Sequence, residues 1–177
     1  NATAASVLAI EEGISLINIQ SALEKFSGIS RRMQFLGKLD QTIVIDDYGH
    51  HPTEIKNTIL TLRESFPELE ISMVFQPHRF TRTKDLFEEF VEVLLSVDRL
   101  ILLEIYSAGE EPIKGIHSKS LFRNIKSRGL EDIFLAKSND QAFQFIQNNI
   151  IKEKGILLIQ GAGNISEISE KLIKENK

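Results

Sequence analysis

Residues 42–62 read TIVIDDYGHHPTEIKNTILTL, and the hydrophobic period changes partway through them. The opening run is short and β-branched, as a buried strand requires, whereas Ile55, Ile59 and Leu62 recur at the spacing of one helical face. Pro52 is favoured at the first position of a helix and pushes the preceding His51 into an extended conformation. The stretch therefore predicts strand, loop and helix in immediate succession, with the helix N-terminus aimed at the loop. Between strand and helix stand Asp46, Asp47, Tyr48, Gly49, His50 and His51. Polar groups buried without partners destabilise a fold by roughly 1–3 kcal/mol each, so such a density of them reads as a binding site. The alternative is local: Asp46 and Asp47 satisfy nearby backbone donors and one histidine fills a polar pocket.

The same alternation extends outward in both directions. Apolar runs at 42–46, 70–75, 99–105, 132–136 and 156–160 are separated by helical periodicity, first in Ile55, Ile59, Leu62 and Phe66, then in Leu86, Phe90, Val93 and Leu94. Further helices are predicted at 118–127, 139–150 and 164–175. This pattern specifies an α/β fold, a Rossmann-like doubly wound, mostly parallel sheet with helices on both faces. Residues 1–25 read instead as two short helices rich in Ala, Leu and Ile, the tail of a preceding domain. Phe26-Ser27-Gly28-Ile29-Ser30 breaks them from the strand-bearing part, 26–177, and the Lys-rich 171–177 reads as a fraying helix end.

With 177 residues, of which 42% are hydrophobic, the chain can build a core without covalent staples. A net charge of -4 gives no electrostatic reason to expect a general nucleic-acid binder. The absence of cysteine rules out disulfides and thiolate metal sites and fits a reducing cytoplasm. No uninterrupted apolar run approaches the ~20 residues that span a bilayer. A chain that opens on Asn1 inside an alanine-rich helix reads as part of a longer protein.

In an open parallel sheet the loops that follow strands share the carboxyl edge, where ligands bind. The loops at 46–51, 76–81, 106–112 and 161–164 all carry polar or glycine-rich sequence and thus predict one cleft. Arg79 and Arg82 lie three apart where a helix begins, and two guanidinium forks can clamp a carboxylate or phosphate. The bland reading of the same pair is surface salt bridges to Asp85 or Glu88. Gly161-Ala162-Gly163-Asn164 suits either a truncated dinucleotide turn or close backbone packing. Tyr106-Ser107-Ala108-Gly109-Glu110-Glu111-Pro112 is turn chemistry first, and no phosphate-loop lysine is present. A metal-dependent hydrolase built on Asp46, Asp47, His50, His51 and His78 is a reading from another class, since imidazole and carboxylate suit zinc or manganese, although an adjacent His-His pair is poorly spaced for a single ion. A non-catalytic nucleotide-binding module is a third.

The runs DDYGHHPTE (46–54), FQPHRFTRT (75–83), YSAGEEPI (106–113) and GAGNI (161–165) resemble, in order, the C-terminal domain of the UDP-N-acetylmuramate:L-alanine ligases of the Mur ligase family, enzymes of bacterial peptidoglycan synthesis. Residues 1–25 resemble the end of that family's central ATP-binding domain, with Asn1 on the asparagine of its NATAA segment. The resemblance implies an ATP- and Mg2+-dependent carboxylate-amine ligase of the cytoplasm that phosphorylates the lactyl carboxylate of UDP-N-acetylmuramate and lets L-alanine attack the acyl phosphate. It implies that Arg79 and Arg82 hold the alanine carboxylate while Tyr48, His50 and His78 line the pocket. His50 is the first candidate to position or deprotonate the amine, because imidazole ordinarily titrates near neutral pH. Arg32, for which its neighbour Arg31 is the alternative, and Asp47 would contact the nucleotide, with Asn1 near the adenine, and no residue of the chain is assigned to a metal. With the phosphate loop and sugar site in other domains, this stretch by itself is expected to be inactive. A close rival under the same resemblance is the recycling ligase that attaches a tripeptide to the same UDP sugar.

Overall fold

The computed structural model describes residues 1–175, which divide into two compact units, Asn1–Ser30 and a second that begins at Arg31. The first holds α1 (Ala2–Glu11) and α2 (Leu16–Glu24). Ser15 caps α2 by accepting from the Asn18 amide, whereas Asn1, at the N-cap of α1, makes no side-chain cap bond.

The second unit runs β1 (Gln34–Leu39), β2 (Thr42–Asp47), α3 (Pro52–Ser65), β3 (Glu70–Phe75), α4 (Phe80–Asp85), α5 (Phe87–Leu94), β4 (Arg99–Leu103), α6 (Ser118–Ser127), β5 (Ile133–Ala136), α7 (Asn139–Asn149), β6 (Gly155–Gln160) and α8 (Ser166–Glu175). Its six strands lie in the order β1-β2-β6-β3-β4-β5, all parallel except β1, which pairs antiparallel with β2. The last strand in sequence thus fills the slot between β2 and β3. Strand β6 is buried at every position, and both of its edges are paired over its full length.

Side chains alternate across the sheet and build a core on each face. Ile45, Met73, Phe75, Leu102 and Leu158 pack with Ile55 and Leu62 of α3, Phe90 of α5 and Leu121 of α6. Val44, Val74, Ile101, Leu157 and Ile159 face the other way, against Phe143 and Ile146 of α7 and Ile168 and Leu172 of α8. Each such side chain contributes roughly 1.5–3 kcal/mol when fully buried, so the two layers together fix the register.

The sequence pattern misses β1. Phe35 is 64% exposed, and the register shifts between Phe35 and Gly37, the latter at φ +141°, so this edge strand shows no clean alternation. Strand β4 ends at Leu103, two residues earlier than the apolar run suggests, and the last helix starts at Ser166 rather than 164. The helical stretch after β3 is two helices broken at Leu86, whose φ of -115° leaves the helical range. Among the described residues no helix is long and apolar enough to cross a membrane.

Candidate active site

The chain leaves β2 for α3 and β3 for α4 and α5 on one side of the sheet, but leaves β6, which lies between them, for α8 on the other. Connections diverging from neighbouring strands open a crevice at their carboxyl ends, and the loops that follow β2, β3, β4 and β6 converge there.

Alternation also separates the two adjacent aspartates. Asp46 continues the Val44 face, where its carboxylate accepts from the Ser169 hydroxyl of α8 at 2.6 Å and from Arg31 Nε at 3.2 Å. Asp47 continues the Ile45 face. One of its oxygens accepts from the Met33 amide at 2.8 Å, and the other from the Gly49 amide and Gln160 Nε2, each at 2.8 Å, and from Thr58 Oγ1 at 3.5 Å. Both carboxylates are buried and engaged internally. They therefore do not combine with the histidines into a metal centre, and among the described residues no three His, Asp or Glu side chains are grouped to hold an ion. The hydrolase reading falls on this geometry.

Asp47 also shapes the loop that carries the imidazoles. A Cβ at Gly49 would sit 2.5 Å from Gln160 Nε2 and 2.6 Å from Asp47 Oδ1, so only glycine lets the chain pass over that bond. Beyond it, Glu54 Oε2 accepts from the amides of His50 and His51 at 3.0 and 3.1 Å, and the Thr53 amide donates to His51 Nδ1 at 3.3 Å. His51 is thus the N-cap of α3 in a reciprocal capping box. Partial burial raises the Glu54 pKa, but the two amide bonds and the charges of His50 and Arg32 outweigh it and hold the carboxyl below its usual range.

His50 is left facing the crevice. Its Nδ1 lies 3.1 Å from the Tyr48 carbonyl, which only accepts, so Nδ1 carries a proton. The His78 Nδ1 is arranged the other way and accepts, because Arg82 Nη1, which only donates, lies 3.1 Å from it. Burial, followed by the charges of His50, Arg82 and Arg79, pushes the His78 pKa below its ordinary value, so this ring is held as a neutral Nε2-H donor. The two imidazoles stand 5.5 Å apart between centroids, Tyr48 meets His50 edge-on at 5.4 Å, and Tyr106 stacks on His78 at 5.5 Å.

The arginine pair does not bridge to Asp85 or Glu88. Arg82 Nη1 turns back to the carbonyl and ring of His78, and its other nitrogens have no partner among the described residues. Arg79, 49% exposed, approaches only Glu110, at 3.7 Å. Its backbone, at φ +74° and ψ +137°, lies close to a region used almost only by glycine. Arg31 is fixed inside by Asp46 and the Gly161 carbonyl. Arg32 stays exposed, 3.8 Å from Glu54 with its guanidinium 5.3 Å from the Tyr48 ring centroid. The glycine loop serves close packing: a Cβ at Gly163 would lie 2.3 Å from Gln76 Oε1 and 2.7 Å from Tyr106 Cγ.

Tyr48, His50, His78, Arg79, Arg82 and Arg32 are therefore linked by contacts along one edge, with Asp47 buried beneath them, while Asn1 belongs to the other unit. Two facing imidazoles, that of His78 held as a neutral donor, and a guanidinium with open donors suit a ligand that carries both an amine and a carboxylate. Sequence reasoning missed Tyr106, Glu110, Arg31 and Gln160 as parts of this site, and only the YSAGEEP turn had drawn notice. A cleft of about 380 Å³ lies on the α7 and α8 side, lined in part by Gln76, Glu104, Asn139, Asn164 and Lys171. Asn139 is bound to Glu167 and Lys171 to Asp140, so its polar groups largely answer one another.

The family description "Mur ligase, glutamate ligase domain" matches residues 31–163. The chain belongs to the Mur ligase family. Among solved structures it is similar to UDP-N-acetylmuramate-alanine ligase MurC from Thermotoga maritima, with 27% identity and a TM-score of 0.78 over 98% of this chain and 36% of that one. A murein peptide ligase from Psychrobacter arcticus shares the fold at 21% identity and TM-score 0.70, over 98% of this chain and 35% of that one. So does a folylpolyglutamate synthase/dihydrofolate synthase from Yersinia pestis, complexed with AMPPNP and Mn, at 13% identity and TM-score 0.65, over 90% and 35%. The chain thus spans about a third of the length of these ligases. Mur ligases are ATP-dependent ligases of peptidoglycan synthesis.

Two measurements check this electrostatic and steric description. Arg79→Gly and Arg79→Ala lose the same guanidinium, but only glycine relieves the backbone, so in urea unfolding the glycine variant should be the more stable by about 1 kcal/mol. His78 binds its proton more tightly in the unfolded chain than in the folded one, so stability falls as pH drops through the ordinary imidazole range, down to the folded pKa. His78→Gln should therefore lose less stability than the parent between about pH 7.5 and 5.5.

Proposed function

We propose that this chain is the amino-acid-binding part of an ATP-dependent ligase that joins L-alanine to UDP-N-acetylmuramate in the cytoplasm. The observation that carries the reading is the His50-His78-Arg82 cluster, in which two imidazoles 5.5 Å apart and a guanidinium with open nitrogens face one edge of the sheet, groups suited to an amine and a carboxylate. The likeness to the alanine ligase of Thermotoga maritima supports the choice of amino acid.

In this reading Arg79 and the open nitrogens of Arg82 receive the alanine carboxylate. Tyr48 and His78 close the pocket around the amine, and His50 Nε2 accepts a proton as the C-N bond forms and phosphate leaves the acyl phosphate. Fixing the amine against the carbonyl lowers a barrier by as much as ~7–11 kcal/mol, whereas a general base typically gives ~10²–10⁴-fold, so orientation is the larger contribution. Arg32 and the Tyr48 ring are the outward groups for a nucleotide, with Asp47 acting beneath them through the loop it anchors. Asn1 is assigned to the adenine on the resemblance of the NATAA segment. Among the described residues no three His, Asp or Glu side chains are grouped to hold an ion, and no step is assigned to the metal through this chain.

In the ligase polypeptide that carries this domain, Arg79→Ala or Arg82→Ala should raise the KM for L-alanine at least tenfold and leave the KM for ATP within about twofold, since a charge-assisted bond contributes roughly 1.5–3 kcal/mol. Unchanged alanine kinetics in both variants would remove the clamp. A preference for a tripeptide over free alanine in the same assay would move the assignment to the recycling reaction. The 177-residue chain alone, given alanine, the UDP sugar and ATP, should release no phosphate.

A further inference from the structure

Glu110 has no role in the reaction outlined above, yet it makes the most specific contacts of the turn that follows β4. Its Oε1 accepts from the Thr81 hydroxyl at 2.6 Å, its Oε2 accepts from the Thr81 amide at 3.0 Å, and Arg79 Nη1 stands 3.7 Å away. The other end of the turn is pinned as firmly. Tyr106 accepts from the Arg79 amide and donates to the Pro77 carbonyl, each at 2.8 Å, and stacks on His78 with ring planes 18° apart. Between the two ends the chain doubles back through Ala108 and Gly109, at φ +50° and +85°, and the Glu110 amide donates to the Ser107 carbonyl at 3.0 Å.

The turn therefore grips the chain on both sides of Arg79, at 77–79 through Tyr106 and at Thr81 through Glu110. A side chain at φ +74° is held there only where its surroundings over-determine the backbone, and these contacts supply that constraint. We propose that Glu110 is a positioning residue: it sets the Arg79 guanidinium at the angle from which a substrate carboxylate is received. The inference rests on the amino-acid-binding role proposed above. Glu110 is 19% exposed and Arg79 49%, so one guanidinium nitrogen faces Glu110 while the rest of the fork stays open to a second carboxylate. An exposed ion pair of this kind adds little stability, which leaves orientation as its contribution. The Thr81 hydroxyl and amide bonds, with the Arg79 charge, hold the Glu110 carboxyl below its usual range and keep it an acceptor at neutral pH.

The test uses the whole ligase, with L-alanine, ATP and the UDP sugar varied separately. Glu110→Ala should raise the KM for alanine about tenfold, with kcat and the other two KM values within about twofold. Glu110→Gln, whose one carbonyl oxygen can still accept from the Thr81 amide while its NH2 donates to the Thr81 hydroxyl, loses the charge and should raise it about two- to threefold. In an Arg79→Ala background Glu110→Ala should add nothing, because the two act through one group. If Arg79→Ala raises the alanine KM and neither Glu110 variant does, the inference is wrong and the clamp stands. If none of the three raises it, Arg79 does not hold the alanine carboxylate and the inference falls with that role, whatever Arg82→Ala shows. All three KM values rising together, or an effect that persists in the Arg79→Ala background, would mark Glu110 as merely structural and overturn the proposal. Should Glu110→Ala fail to fold, Glu110→Gln decides alone, an unchanged alanine KM counting against.

Discussion

The Asp47 carboxylate is where the parts of this domain meet. It accepts from the Met33 amide before β1, the Gly49 amide in the following loop, Gln160 at the end of β6 and Thr58 of α3, so one buried anion ties two strands, a helix and a loop. A buried charge is tolerated only when donors surround it, and here each donor belongs to a different segment. Removing any of them would leave the anion under-satisfied, so the loop that carries Tyr48 and His50 is held at a fixed height above the sheet. The absence of a Cβ at Gly49 is part of the same constraint, because the chain crosses within van der Waals distance of that bond.

On this platform the site is assembled by oppositely anchored imidazoles and by strain. His50 donates from Nδ1 to a carbonyl of its own loop, and His78 accepts at Nδ1 from Arg82, so two rings from separate segments are fixed in opposite senses. Burial and the neighbouring charges keep His78 neutral, so the ring adds no further cation beside the two arginines. The left-handed backbone at Arg79 fits the same logic. Local strain persists because the surrounding turn holds it, and it sits at the group assigned to the substrate carboxylate.

Most of the fold was legible because the inner strands β2, β6, β3 and β4 are buried on both faces and read as largely apolar runs, while the helices keep a 3.6-residue period. Strand β1 was not, because an exposed edge strand with a bulge has nothing on one face to enforce alternation. The Asp46-Asp47 pair looked like one acidic cluster, but adjacent residues in a strand point to opposite faces, which sends one to α8 and the other to α3. Likewise the two arginines, three apart in sequence, took different partners, His78 and Glu110, because a break in backbone geometry at Arg79 removes the helical spacing assumed for them.

The sequence by itself determined the layer architecture, the edge on which polar loops gather and the residue types available for binding an amino acid, because periodicity, Pro52 and the glycine loops act locally. Only the tertiary structure decided which of those residues share a pocket. It placed β6 between β2 and β3, joined His50 to His78, and brought Glu110 against Thr81 and Arg79. Such pairings depend on strand order and on the course of loops far apart in the chain, and no local pattern encodes either.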